Sequence, residues 1–392
     1  MSLNAYRSVL RTPQVVPTML VVLLARIPIT GVGMTLTMHV LLALDHGYAA
    51  AGLVGMAATA GSAIGSPLLG RMLDRRGLRA VVGVSIVVEA LFWLTAPLLS
   101  YPALLVTAFL SSLAALPVMS LGRQALTALV PESGRRTALA LDSMAVELAF
   151  MAGPALGVFL GTHWTGRPAM WVIGTAVVLS GLLLWAVDPP LRAGGAAPGG
   201  QAPRGWLDRR LVGVLISAGG ATFLLTGVEL ATVAQMRAQG LTEWTGAAIV
   251  VMCAASLVGG FWYGGFERPV PVWALMAGMG VLTLPLVLAG GSPWLLGPAL
   301  ALSSFLCAPT LTATGEAITT MAPEGARGTA LGLQGAAFTL GSALGQPVAG
   351  WAIDGVGPSA GFAVAALGSL AIAGLVVLLG VRGRTPEPVV AG

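Results

Sequence analysis

Leu110 to Leu141 reads LSSLAALPVMSLGRQALTALVPESGRRTALAL, and Leu302 to Leu333, 192 residues later, reads LSSFLCAPTLTATGEAITTMAPEGARGTALGL. Thirteen of these thirty-two ungapped positions are identical, among them Ser112/Ser304, Pro117/Pro309, Glu132/Glu324, Arg135/Arg327 and Thr137-Ala138-Leu139 against Thr329-Ala330-Leu331. The echo continues as Gly153-Pro154 against Gly345-Gln346-Pro347. A helix, a short charged loop and the next helix therefore recur in order, and the chain is two copies of one unit.

The composition says where such a unit can fold. Of 392 residues, 56% are apolar and 9% charged, far from the roughly 25% charged of a soluble domain. The chain reads as an integral membrane protein. Its excess of +5 would suggest nucleic acid in a soluble protein, but here the arginines sit in short gaps between apolar runs and serve as topology signals. Every basic residue is arginine, so the Walker A lysine of an ATP-driven pump is missing. Cys253 and Cys307 lie in apolar segments with no CxxC or histidine partner, which fits small buried hydrophobes better than redox or metal chemistry. Arg7 and Arg11 precede an apolar run that continues from Val15 to Leu44 without a cleavage site, so it is expected to remain as the first span.

Spans of about twenty apolar residues divide the chain into twelve, near 14–44, 48–70, 79–99, 102–130, 137–162, 167–187, 209–236, 243–265, 270–290, 294–321, 328–353 and 358–381. The expected organisation is a six-helix bundle over 1–187, a Pro/Gly/Ala-rich connector over 188–208, and a second six-helix bundle over 209–392 ending in a short tail. Sixteen arginines fall on one side and only Arg167 and Arg237 on the other, which puts both termini and the connector in the cytoplasm. Trp164, Trp206, Trp244, Trp294 and Trp351 near span ends suit the headgroup boundary.

Between the second and third spans the chain reads Gly70-Arg71-Met72-Leu73-Asp74-Arg75-Arg76-Gly77-Leu78-Arg79. This loop resembles the cytoplasmic motif of the major facilitator superfamily, Gly-x-x-x-Asp-Arg-x-Gly followed by basic residues, and with twelve spans in two repeated halves the resemblance covers the whole chain. Gly153-Pro154-Ala155-Leu156-Gly157 looks like the fifth-span motif of that family's antiporter branches, although Val158 and Met144 stand where the motif has glycine. The equivalent second-half loop, Gly264 to Arg268, is a degraded version. The resemblance implies an all-α membrane fold of two pseudo-symmetric six-helix halves. It also implies that Asp74 with Arg75, Arg76 and Arg79 latches the halves on the cytoplasmic side, Asp74 lying against the amides that open the eleventh helix near Arg327 to Thr329. Arginines that only anchor the loop to lipid are the alternative. At Pro154, which lacks an N–H, and its neighbours Gly153 and Gly157, the fifth helix should bend, as a fixed kink or a hinge.

An ionisable residue at the bilayer centre costs about 2.5 to 3.5 kcal/mol on insertion scales, so each needs a partner, a cavity or a function. Counting helix rise, Arg26, Glu89 and Glu147 fall near the midplane and Glu229 in the outer half. Arg123, Asp142 and Glu316 lie closer to the cytoplasmic face, where a solvated or capping role is the simpler reading. His39, near the outer end of the first span, titrates near neutral pH when unperturbed. The family's first and fifth helices adjoin its central cavity, so Arg26 and Glu147 are expected to pair there; Glu89 belongs to a usually peripheral third helix. Glu147 is the first candidate for a proton carrier and Glu229 the candidate in the second half, with a purely structural Arg26–Glu147 pair as the alternative.

These features point to a secondary transporter that exports small amphipathic compounds in exchange for protons, by alternating access around a site between the halves. Uptake of a sugar or another metabolite is the alternative, disfavoured because the spans hold no Asn and few Gln. An intramembrane enzyme would need a clustered nucleophile or metal set, and three scattered histidines provide none. The expected partners are a small-molecule substrate, protons and the bilayer, for a monomer of the cytoplasmic membrane with no cofactor, no metal and no nucleic acid.

Overall fold

The computed structural model describes residues 3–116, 118–131, 134–164, 167–189, 206–264, 270–289, 292–323 and 327–379, and among them there are helices and no strand. A short helix, α1 (Leu3–Leu10), precedes the first half: α2 (Val15–Leu42), α3 (Tyr48–Arg76), α4 (Leu78–Thr95), α5 (Tyr101–Ser112), α6 (Val118–Leu129), α7 (Arg135–His163) and α8 (Arg167–Val187). The second half is α9 (Arg209–Ala238), α10 (Thr245–Gly264), α11 (Val272–Ala289), α12 (Pro293–Ser304), α13 (Cys307–Met321), α14 (Arg327–Val356) and α15 (Pro358–Leu378). Connector residues 190–205, the loop 265–269 and the tail 380–392 lie outside the described residues.

Ten segments are long and apolar enough to cross a membrane. The eleventh crossing, α14, is too glycine-rich for that measure, yet its 30 residues reach about 45 Å at 1.5 Å per residue. The fourth crossing is α5 followed end-on by α6, and the tenth is α12 followed by α13, which makes twelve. The spans expected to run unbroken over 102–130 and 294–321 are thus each interrupted, after Ser112 and after Ser304, two equivalent positions of the repeat. Pro309 sits in the first turn of α13, where no N–H is needed; its counterpart Pro117 lies outside the described residues. The carbonyls freed at the breaks are also equivalent. That of Leu113 lies on Gly65 of α3 and that of Phe305 on Gly259 of α10, each so close that a Cβ would collide with the oxygen.

Helix ends follow local chemistry. Only Gly77 separates α3 from α4, at φ +78° and ψ 175°, a conformation open to glycine and strained for other residues. At the start of α9 the Asp208 carboxylate accepts from Leu211 N–H at 2.8 Å, an N-cap. Pro154 lies within α7, which continues through it.

Within each half the first and fifth crossings pack together, α2 with α7 and α9 with α14. Thr30 donates to the Ala149 carbonyl at 2.7 Å, and Thr222, its equivalent, donates to the Phe338 carbonyl at 2.8 Å. The halves meet through α3 with α14 and α7 with α10. Those contacts gather at the end opposite the arginine cluster. There the Asp354 carboxylate of α14 accepts from the Tyr48 and Ala49 amides of α3 at 2.9 and 2.8 Å, and the Arg237 charge acts on the Tyr48 hydroxyl. Backbone meets backbone at Gly52 with Gln346–Pro347 and at Gly350 with Tyr48. Val233 and Ile249 of the second half are packed into the first half's core. At the arginine-rich end, by contrast, a Cβ at Gly70, Gly332 or Gly335 would meet nothing within 4 Å. Among the described residues the halves are clasped at one end, and no hydrogen bond or ion pair joins them at the other.

Candidate functional site

Arg26 is deepest in the first half. Its Nη1 lies 2.8 Å from Asp142 Oδ1, both side chains 1% exposed, and its Nη2 donates to the Met119 carbonyl at 3.1 Å, at the start of α6. Arg123 Nε is 3.7 Å from the other Asp142 oxygen. Among the described residues neither Asp142 oxygen nor Arg26 Nε has an aligned hydrogen bond, so this is a charge contact and not a bidentate fork. Arg26 is therefore committed to Asp142 and not to Glu147, and Asp142, read as solvated from its depth, is wholly buried. The cluster ties α2 to α7 and to the broken fourth crossing.

Glu147 projects elsewhere. It is half-buried on α7, within electrostatic reach of Cys253 on α10 and of Cys307 at the start of α13; Glu229 of α9 also reaches Cys253. Cys253 itself bridges the halves, its thiol 3.8 Å from the Phe150 carbonyl. Two carboxyl groups from opposite halves thus act electrostatically on the same thiol. Among the described residues neither has an ion-pair partner.

Glu89 lies in a cavity of about 310 Å³ walled by α2, α3, α4, α5 and α8, with Val118 of α6, and bordered on the side of the second half by Thr339, Ser342 and Gln346 of α14. Its Oε2 accepts from the Trp93 indole at 2.8 Å. Ser85, one turn earlier on α4, lines the same cavity; it is 1% exposed and its Oγ has no partner among the described residues. His39 is buried at the far end of α2, neither ring nitrogen hydrogen-bonded among the described residues, with Arg167 the charge that acts on it.

The loop motif is partly visible. Gly70, Arg75 and Arg76 end α3 and Gly77 makes the turn. Arg79 pairs with Asp188 at 3.2 Å and stacks over Trp185, tying α4 to the end of α8. The side chains of Asp74 and of Arg327 to Thr329 lie outside the described residues. In the fifth-span motif, Gly153 and Gly157 are the surface on which α2 rides: the Gly31 backbone lies against both. Trp164, Trp244, Trp294 and Trp351 are exposed, 52 to 88%, as a boundary belt requires, and Trp206 is partly so. Sequence reasoning passed over Asp354 and Tyr48. Asp354 stands third from the end of α14 as Asp74 stands third from the end of α3, and that match was available in the sequence.

Residues 18–266 match the profile of the Major Facilitator Superfamily. No curated protein matches the sequence significantly. Among solved structures the fold is similar to a mutant of the nucleoside transporter NupG (TM-score 0.73, 13% identity, covering 93% of this chain and 99% of that one). It is similar also to a bacterial homologue of the human lysosomal transporter Spinster, inward-facing and occupied (TM-score 0.70, 15% identity, 95% of each chain). A third is the human organic anion transporter MFSD10 (TM-score 0.64, 18% identity, 92% of this chain and 98% of that one).

Proposed function

The chain belongs to the major facilitator superfamily of membrane transporters, and on that premise we propose that it is a proton-coupled exporter of small amphipathic compounds, working by alternating access. The observation that supports the reading is that two carboxyl groups from opposite halves, Glu147 and Glu229, both act on Cys253, whose thiol meets the Phe150 carbonyl of the other half. A carboxyl group without a cation in a low-dielectric cleft changes its proton affinity as its surroundings open and close. Rocking of the halves thereby couples protonation to access. With a membrane potential worth about 2.3 kcal/mol per charge per 100 mV, one proton entering per substrate leaving drives severalfold concentration or more.

By the positive-inside rule the arginine-rich end and both termini lie on the cytoplasmic side, and the membrane of this proposal is the plasma membrane. The cleft between the halves then faces the cytoplasm, and the Asp354 clasp closes the outside. In the opposite state Asp74 takes the corresponding place against the amides that open α14, and the arginines beside it hold the cytoplasmic end shut.

Reconstituted vesicles with an imposed pH gradient test the coupling. Glu147→Gln, which mimics the protonated acid, is expected to bind substrate and to lose the dependence of export on the gradient. Undiminished dependence in Glu147→Gln together with its loss in Glu229→Gln would move the coupling acid to the second half; undiminished dependence in both would end the proton-coupled reading.

A further inference from the structure

The Glu89 cavity is lined by neither Glu147 nor Glu229. Glu89 is the single ionisable residue among those that line it; no arginine or histidine does. Trp93 occupies one carboxylate oxygen, and among the described residues the carboxylate has no cation. Ser85, four residues earlier on the same face of α4, adds a buried hydroxyl with no protein partner, which leaves an oxygen lone pair available to a donor. Ser111 and Ser112 bring in the C-terminal turn of α5, which stops here because the fourth crossing is broken. The end of a helix carries partial negative charge from its carbonyls. The carboxylate and the end of α5 favour a positive group and disfavour an anion, while the Ser85 hydroxyl can turn its oxygen toward a cation. Opposite them Val32, Leu36, Phe92 and Val177 form an apolar wall, and a volume of about 310 Å³ is at the lower end of the range for small-molecule sites.

We propose that this cavity binds an amphipathic organic cation, with Glu89 as its counter-ion, Ser85 and the end of α5 beside the charge, and the apolar wall against its body. The proposal deepens the transport reading by naming a substrate class, and rests on that reading for the claim that the bound cation is then moved. The break after Ser112 has its twin after Ser304, but the positions equivalent to Ser85 and Glu89 are Ala277 and Val281. The first half alone therefore carries the charge.

The test uses the full-length protein in lipid nanodiscs, with benzyltriethylammonium as the cation and N,N-diethyl-2-phenylacetamide as a neutral molecule of similar size. The cation is expected to raise the melting midpoint of the wild type. Glu89→Gln should weaken its binding at least about tenfold, through loss of the charge–charge attraction to the quaternary ammonium, while binding of the amide stays the same. Equal cation affinity in wild type and Glu89→Gln, or a wild type that prefers the amide, overturns the site. Should Glu89→Gln fail to fold, carbodiimide modification of the wild type mapped by mass spectrometry answers the question: protection of Glu89 by the cation supports the site, and unchanged modification overturns it. Flux in proteoliposomes separates the two readings. Binding that depends on Glu89 without any flux sinks transport of the cation and leaves the site; cation flux indifferent to Glu89→Gln sinks the site and leaves the transporter.

Discussion

Arg26 shows what depth along a helix can and cannot tell. Counting residues put it near the midplane and Asp142 about one and a half turns nearer the basic end, so Glu147 looked the closer partner. A guanidinium on its long stem reaches past that difference, and its direction around the helix, which residue counting does not give, points it at Asp142. The same blindness to direction left Glu89 on a peripheral helix when in fact α4 turns it into a cavity. The burial of Arg26 was legible in the sequence; that of Asp142, and the pairing of the two, was not. The ion pair carries a stability prediction. Asp142→Ala leaves a guanidinium 1% exposed with one carbonyl as its partner and with the like charge of Arg123 nearby, and breaking a buried pair on one side costs about 3 to 5 kcal/mol. The midpoint in a thermal melt should fall by many degrees. An Arg26→Met, Asp142→Leu double variant, which removes both charges and keeps the volume, is expected to recover much of that loss. A double variant no more stable than Asp142→Ala would show that the pair does more than cancel its own charges.

Among elements, the instructive cases are the broken crossings and the helix pair between the halves. The repeat at Leu110 and Leu302 announced two equivalent units, and Pro117 and Pro309 stood in both copies; yet hydropathy alone averages across a short interruption, so each crossing reads as one span. What the break needs is a glycine on another helix, Gly65 or Gly259, and that requirement is invisible until the helices are side by side. The α3–α14 contact follows the same logic. A Cβ on Gly52 would lie 2.7 Å from the Pro347 backbone, which neither helix can yield by a rotamer change. Gly52→Leu is therefore expected to keep the two helices apart at the clasped end, so that the closed arrangement described here is lost while each half stays packed. Labelling of the half-buried native Cys253 by a membrane-impermeant thiol reagent added from the clasped side should rise severalfold. Unchanged labelling would mean that α3 and α14 open by a motion that never separates these backbones. Gly153→Leu gives a contrast, because its neighbours Ile27 and Gly31 belong to the same half. Overpacking there costs about 1 to 3 kcal/mol or more, and should appear as lost stability with little change in which side Cys253 can be reached from.

For the whole molecule, the relation that matters is between the two ends. α3 and α14 run in opposite directions, each has an aspartate third from its last residue, and each starts at the end where the other finishes. At the clasped end the Asp354 carboxylate lies on the first amides of α3, within 2.9 Å; Asp74 stands at the other end. If both anions serve as latches, each stabilises closure of its own end, and because both ends cannot close at once around a site between them, the latches compete through one equilibrium. An exposed anion at a helix start contributes about 0.3 to 1 kcal/mol, which is a factor of roughly 2 to 5 in the ratio of the two states. Asp354→Asn is then expected to shift the protein toward opening at the clasped end, and Asp74→Asn in the other direction, each by that factor. Cys253 labelling from the two sides reads the ratio directly, and the double variant should return close to the wild-type ratio while exchanging faster, since both closed states lose a similar amount. Shifts of the same sign in the two single variants would show that Asp74 does not latch the arginine-rich end; it would then only anchor its loop, as Arg79 already does through Asp188 and Trp185.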